Sequence, residues 1–247
     1  MRVISIFICV FLCGSLSEAS AEDTSPSFSQ KLDIQVRYDN RSNRPSREQY
    51  RLRYYPSLAL TSTWSVNSFI VTGDDFSSSH NTFGSDTTDY LYARRLYLRH
   101  ETNAGKTELG IIPTYKGRVS STGLSKDGWI TGIRHVRKLQ NNTALEIVVG
   151  QLANAEASEA FNVGEEDEYF EIEYSAKMGE RHSYEASFER MLNGTFARAE
   201  YRFRINEEDT AFVELVQRTD ESAAKIVVGT SGEFAASAFN TSYPIEY

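Results

Sequence analysis

The sequence predicts an all-β chain: one closed antiparallel transmembrane β-barrel of about twelve strands, within a range of ten to fourteen. Three observations carry that expectation. A secretory leader opens the chain, apolar and charged residues alternate at period two through the rest, and no apolar run after the leader is long enough for a membrane helix.

The leader is Met1-Arg2, an apolar run from Val3 to Leu12, and small residues ending at Ala19-Ser20-Ala21. That is the order of positive charge, apolar core and A-x-A cleavage site of a secretory signal. Cleavage after Ala21 divides the chain into a leader, 1–21, and a barrel domain, 22–247. Cys9 and Cys13 both lie in the leader, preceded by Ile8 and Leu12 where a lipoprotein needs a small residue. The mature chain then has no cysteine, so no disulfide supports it in an oxidising compartment. A closed barrel, in which neighbouring strands satisfy every backbone group, supplies stability another way. The net charge of -8 argues against a nucleic-acid partner, which selects for basic surfaces.

The alternation is sustained. Leu32, Ile34, Val36 and Tyr38 share one face, and Asp33, Gln35, Arg37 and Asp39 the other. Tyr50, Leu52, Tyr54, Leu58 and Leu60 oppose Arg51, Arg53 and Ser57. Phe170, Ile172 and Tyr174 oppose Glu171 and Glu173, and Ala197, Ala199, Tyr201, Phe203 and Ile205 oppose Arg198, Glu200, Arg202 and Arg204. Successive strand side chains point to opposite faces, so each strand has an apolar and a charged side. A soluble sandwich also alternates. Its wet face usually mixes Ser, Thr and Lys, whereas Arg and Glu are dense here and tyrosines crowd the apolar side. A membrane barrel turns its apolar face to lipid and its charged face to the lumen.

Thirteen segments between 31 and 247 satisfy the pattern. Single-chain bacterial barrels have even counts, which selects twelve, with 63–73 and 223–230 the weakest segments. Tight turns are expected at Asn103-Ala104-Gly105, Gln140-Asn141-Asn142, Met178-Gly179-Glu180, Asn193-Gly194 and Asn206-Glu207-Glu208. Longer polar stretches at 74–88, 116–127 and 153–167 should share the rim opposite the start of the first strand.

The final segment places Phe239, Tyr243, Ile245 and Tyr247 on one face, with Pro244 unable to donate a ladder hydrogen bond. This ending resembles the terminal strand of Gram-negative outer-membrane proteins, with Tyr where most of that family have Phe. The resemblance implies residence in the outer membrane and recognition by the barrel assembly machinery. The Arg-rich early strands, with Arg37, Arg51, Arg53, Arg95 and Arg99, make the chain similar to small monomeric porins, including the oligogalacturonate-specific group. That similarity implies passive uptake of small hydrophilic solutes, acidic ones included.

Alternation assigns Arg37, Arg51, Arg53, Arg95, Arg99, Arg198, Arg202 and Arg204 to a basic set lining the lumen. It assigns Glu146, Glu171, Glu173, Glu185 and Glu189 to an acidic set. The two sets should oppose each other across water, as charged rows do in selective pores. The leading expectation is therefore an outer-membrane diffusion channel, without catalysis, cofactor or metal. One alternative is a narrow barrel plugged by Arg–Glu pairs, with a structural or surface-interaction role. A second is an outer-membrane hydrolase using His80 with Asp74, Asp75, Asp86 and Asp89. The acidic run Glu165-Glu166-Asp167-Glu168 reads as a solvated loop.

Overall fold

The computed structural model describes residues 25–41, 44–73, 79–84, 91–114, 128–152, 156–162, 168–191, 194–236 and 241–246. The alternating segments form strands β1 (Ser27–Arg41), β2 (Arg44–Ala59), β3 (Trp64–Thr72) and the two-residue β4 (Asn81–Thr82). They continue as β5 (Leu91–Thr102), β6 (Gly105–Pro113), β7 (Trp129–Lys138), β8 (Thr143–Gln151) and β9 (Glu168–Met178). The last five are β10 (His182–Met191), β11 (Gly194–Arg204), β12 (Thr210–Arg218), β13 (Ala223–Ala236) and β14 (Thr241–Glu246). Among the described residues the only helical element is the short 3-10 turn Ala157–Glu159.

All strands but β4 stand in one antiparallel sheet, each paired with the next in chain order, while β4 pairs with β2. The sheet holds thirteen strands, one more than the even number expected. The parity rule discounted a strand that the alternation itself supported. The doubted β3 carries the polar Ser65 and Asn67 on the face where other strands carry charge, yet it pairs fully with β5. Among the described residues no pairing joins β1 to β14, so hydrogen bonds do not close the sheet.

The sidedness is inverted relative to a soluble protein. Leu109, Ile133, Val149, Phe188, Val213 and Leu215 are exposed, while Glu108, Glu171 and Glu214 are 0% exposed and Arg134 is 3% exposed. A single sheet hides one face only by curling around it, so the charged side is concave. The apolar core of the molecule lies on that concave side too. Ile112, Ile130, Val148, Leu152, Tyr169 and Met191 form it, with Tyr97 and Phe196 packed against them. They belong to the same alternating set as the charges but sit toward the rim of long loops. A second cluster of Ile111, Trp129, Ala157 and Ala160 anchors the 3-10 turn to the sheet.

Curvature has a sequence cause. Gly110, Gly132 and Gly150 face one another in register across β6, β7 and β8, flanked by Tyr97 and Tyr169. A Cβ on Gly132 would lie 2.2 Å from the Val149 carbonyl oxygen, and one on Gly150 would lie 2.4 Å from that of Thr131. The bare backbones permit the close approach that sharp coiling needs, and the flanking rings cover them. A second irregularity is the register shift between Phe69 and Ile70, opposite Arg94 and Arg95. It lets these adjacent arginines both be buried, as a bulge re-aims one side chain.

The strand order sorts the connections. The turns around 103–104, 140–142, 179–181 and 205–209 share the rim where β1 begins. The strand ends that flank 73–90, 114–128 and 152–167 share the opposite rim, where the sequence expects the long connections. Asn141 and Asn142 both take positive φ, 58° and 56°, which accounts for asparagine in the β7–β8 turn. In the β12–β13 turn Arg218 grips Asp220 at 3.0 Å, and this hydrogen bond holds the Asp220 carboxyl down at about 2.

Gly132→Ala should therefore separate β7 from β8 and destabilise the fold by about 1–3 kcal/mol, the range for overpacking. Gly179→Ala adds a Cβ with no heavy atom within 4 Å and should cost only about 1 kcal/mol for its φ of 66°. Urea unfolding of the two variants measures the difference.

Candidate functional site

The charged concave face is where the sequence places chemistry and where the fold concentrates it. Period-two spacing delivers one side chain per strand to each level of this face, and register aligns them into two ion-paired hubs. In the first, Arg134 of β7 reaches Glu108 of β6 at 2.9 Å and Glu146 of β8 at 2.9 Å, and donates to the Pro113 carbonyl at 2.7 Å. Glu108 also receives Arg99 of β5 at 2.7 Å and Lys106 at 3.3 Å. A carboxylate with no exposure thus meets three cations. Arg99 lies 3.2 Å from the Tyr97 hydroxyl, which ties the hub to the glycine row.

The second hub centres on Arg198 of β11. Its guanidinium contacts Glu185 of β10, Glu173 of β9 at 3.4 Å and Glu214 of β12 at 3.6 Å. Around it the Tyr169 hydroxyl donates to Glu171 at 2.7 Å, the Ser187 hydroxyl donates to Glu189 at 3.1 Å, and Arg202 contacts Glu200. A lone buried carboxylate costs several kcal/mol, and these donors and cations offset that cost.

The wall of β1 to β5 differs. Arg37 donates to Gln49 at 3.1 Å, Gln49 to Thr82 at 3.1 Å, and Arg51 to Gln35. Arg53 lies 3.7 Å from Asp33. Arg95 donates to the Gly128 carbonyl at 2.8 Å and lies over the Phe69 ring. Arg94 donates to the Gly73 carbonyl at 2.5 Å and lies 5.5 Å from the Trp129 ring centre. Asp33, Gln35, Arg37, Asp39, Ser57 and Asn67 are half-buried here rather than sealed.

Of the residues singled out from the sequence, Arg198, Glu173 and Glu185 meet in one hub, and Arg99 and Glu146 in the other. Arg204 is exposed beside the short turns, away from both. Among the described residues the ion pairs of the hubs run sideways, between strands one or two apart or, for Lys106–Glu108, within one strand, where alternation suggested facing rows. Glu108, Arg134 and Glu214 escaped sequence reading. The strand holding Arg134 also carries His135, Arg137 and Lys138, so both its faces look charged, and Glu214 shares its face with Phe212 and Val216.

His80 is half-buried, but Asp74, Asp75, Asp86 and Asp89, its expected hydrolytic partners, lie outside the described residues. So do residues 1–21, 165–167, Phe239 and Tyr247. Tyr243 and Ile245 stand in β14, opposite Phe234 and Gly232. The described residues contain no group of three or more His, Cys, Asp or Glu side chains suited to a metal ion. No family model matches this chain, and no curated protein matches its sequence.

Arg198→Met strips three buried carboxylates of their shared cation and should destabilise the protein by about 3–5 kcal/mol. Arg47→Gln removes the exposed pair with Asp39 and should cost under about 1 kcal/mol. Denaturant titration of both against the parent checks the contrast.

Proposed function

We propose that the chain is an outer-membrane β-barrel that passes ions or small hydrophilic solutes across the bilayer by diffusion. The inverted sidedness carries this reading. Exposed apolar side chains in rows on β1, β5, β8, β9, β12 and β13, with buried charge on the opposite face of β5 to β12, are unfavourable in water and suited to lipid. The apolar band is flanked by aromatic residues on both sides. Phe28, Trp64, Tyr174, Tyr184, Tyr201 and Phe203 lie toward the rim of short turns. Tyr38, Tyr50 with Phe83, and Phe170 lie toward the rim of long loops. Along β1, Phe28 and Tyr38 are ten residues apart, or roughly 33 Å of strand. At a tilt of about 45° that gives roughly 24 Å of height, against about 25 Å for the apolar band of such barrels. A sandwich has a second sheet to cover these side chains, and the described strands form one sheet only.

Passage is best supported along the wall of β1 to β3, where Asp33, Gln35, Arg37, Ser57 and Asn67 are polar and half-buried. Arg37 and Arg53 supply positive charge there, which favours anionic solutes. A second reading is favoured by a specific observation: the hubs of β6 to β12 are sealed, and an apolar cluster lies on the same face. A barrel filled this way throughout conducts nothing and serves a structural or surface role.

Planar-bilayer recording of the purified protein under a salt gradient tests the proposal. The expected result is stepwise conductance, with Arg37→Gln moving the reversal potential toward cations and the shift shrinking at high salt. Glu108→Gln, inside a sealed hub, should leave the potential unchanged in channels that still form. Membrane insertion without conductance establishes the filled barrel instead.

A further inference from the structure

On the convex, apolar side of the sheet a basic cleft opens beside the β5–β6 turn. It has a volume of about 300 Å³ and is lined by His100, Thr102, Lys106, Thr107, His135 and Arg137, with the turn residues Ala104 and Gly105. His100, Thr107 and His135 face one another in register across β5, β6 and β7, on the side that also carries Leu98, Leu109 and Ile133. Trp64 stacks on His100 with ring centres 4.4 Å apart. None of these residues takes part in the charged inner face except Lys106, whose ammonium is drawn toward Glu108 at 3.3 Å.

We infer that this cleft binds the phosphate of an anionic phospholipid in the leaflet on the short-turn side. The inference rests on the membrane reading above. Three features of the cleft point to that occupant. Its charge is positive and open: Arg137 is exposed, and no acidic side chain lines the cleft. Its donors suit phosphate oxygens. The His135 Nδ1 is taken by the Thr107 hydroxyl at 2.9 Å. Nε2 is the ring's remaining polar atom, and in the tautomer that protonates it, it is a donor for a phosphate oxygen. A guanidinium presents a fork to the same oxygens. Its depth in the bilayer is that of a headgroup, because Trp64 and the turn Asn103-Ala104 mark the interface and the column of half-buried Leu98 and exposed Leu109 and Ile133 continues toward the middle. An acyl chain lying along that column would bring its phosphate to Arg137. A free phosphate ion uses the same donors but gains nothing from the column, which is why the lipid is the favoured occupant.

The test uses quenching of Trp64 by lipids with brominated chains, in vesicles of neutral phosphatidylcholine holding the folded full-length mature chain. The Trp64→Phe variant supplies the contribution of Trp129, the other tryptophan of the chain. A basic side chain near an anionic surface is worth about 1 kcal/mol, or about fivefold in relative affinity. Brominated phosphatidylglycerol should therefore quench Trp64 with an apparent affinity about fivefold or more above that of brominated phosphatidylcholine. The double variant His135→Gln, Arg137→Gln should erase the difference while still being quenched, and millimolar inorganic phosphate should not compete. Equal quenching by the two lipids in the parent protein overturns the site and leaves the barrel standing. So does a preference that survives the double variant. Competition by inorganic phosphate assigns the cleft to free anions and overturns the lipid assignment. Absence of quenching by either lipid overturns the membrane reading itself.

Discussion

Charge buried on a curled sheet has to be neutralised within reach of a side chain, and this requirement organises the inner face. Glu108 is workable at zero exposure because Arg99, Lys106 and Arg134 converge on it from three strands. Arg198 is workable because three carboxylates surround it. Each hub spans four strands, so it ties their register together alongside the backbone ladder. A one-residue slip of β7 would turn Arg134 to the convex side and leave Glu108 and Glu146 without their shared cation. The hubs are therefore devices for a unique sheet more than sources of net stability, since a buried pair contributes little beyond what an apolar pair would.

The same constraint explains the distribution of small and large residues. Three glycines meet in one row across β6, β7 and β8, with a tyrosine in register at each end of it. Toward the loop rim the inner positions turn apolar and pack as an ordinary core. Along β1, and at Ser57 and Asn67 of β2 and β3, the inner positions are polar and half-buried, beside the buried Gln49, Arg51, Arg53, Phe69 and Val71. The face thus grades from a filled region to an accessible one. On the proposed reading solutes pass beside the hubs and not through them.

Much of this was legible in the sequence. The strand positions follow from alternation to within a few residues for nearly every element, because a half-buried strand shows its period directly. The side of each long connection follows from counting strands. The inner arginines and glutamates follow wherever their strand alternates cleanly, as Arg198, Glu171 and Glu185 do. Legibility fails in four places. Parity argued against a thirteenth strand, but parity is a regularity of known barrels and not a consequence of hydrogen bonding. Arg134 was hidden because β7 carries charge on both faces, its outer His135 and Arg137 belonging to the rim. The sideways pairing of the charges depends on register and curvature, which no single strand encodes. The bulge that buries both Arg94 and Arg95 breaks alternation and so could not be read from it.

The account stands or falls on the claim that the exposed apolar face meets lipid. Leu109 tests it most directly. It is 56% exposed, lies between Leu98 and Ile133 in the ladder, and makes no part of either hub. Equilibrium unfolding of Leu109→Arg from phospholipid vesicles gives the relevant free energy. If the face is in the bilayer, the variant loses about 2–4 kcal/mol relative to the parent. A change within about 0.5 kcal/mol, as at an ordinary solvated surface position, would contradict the account.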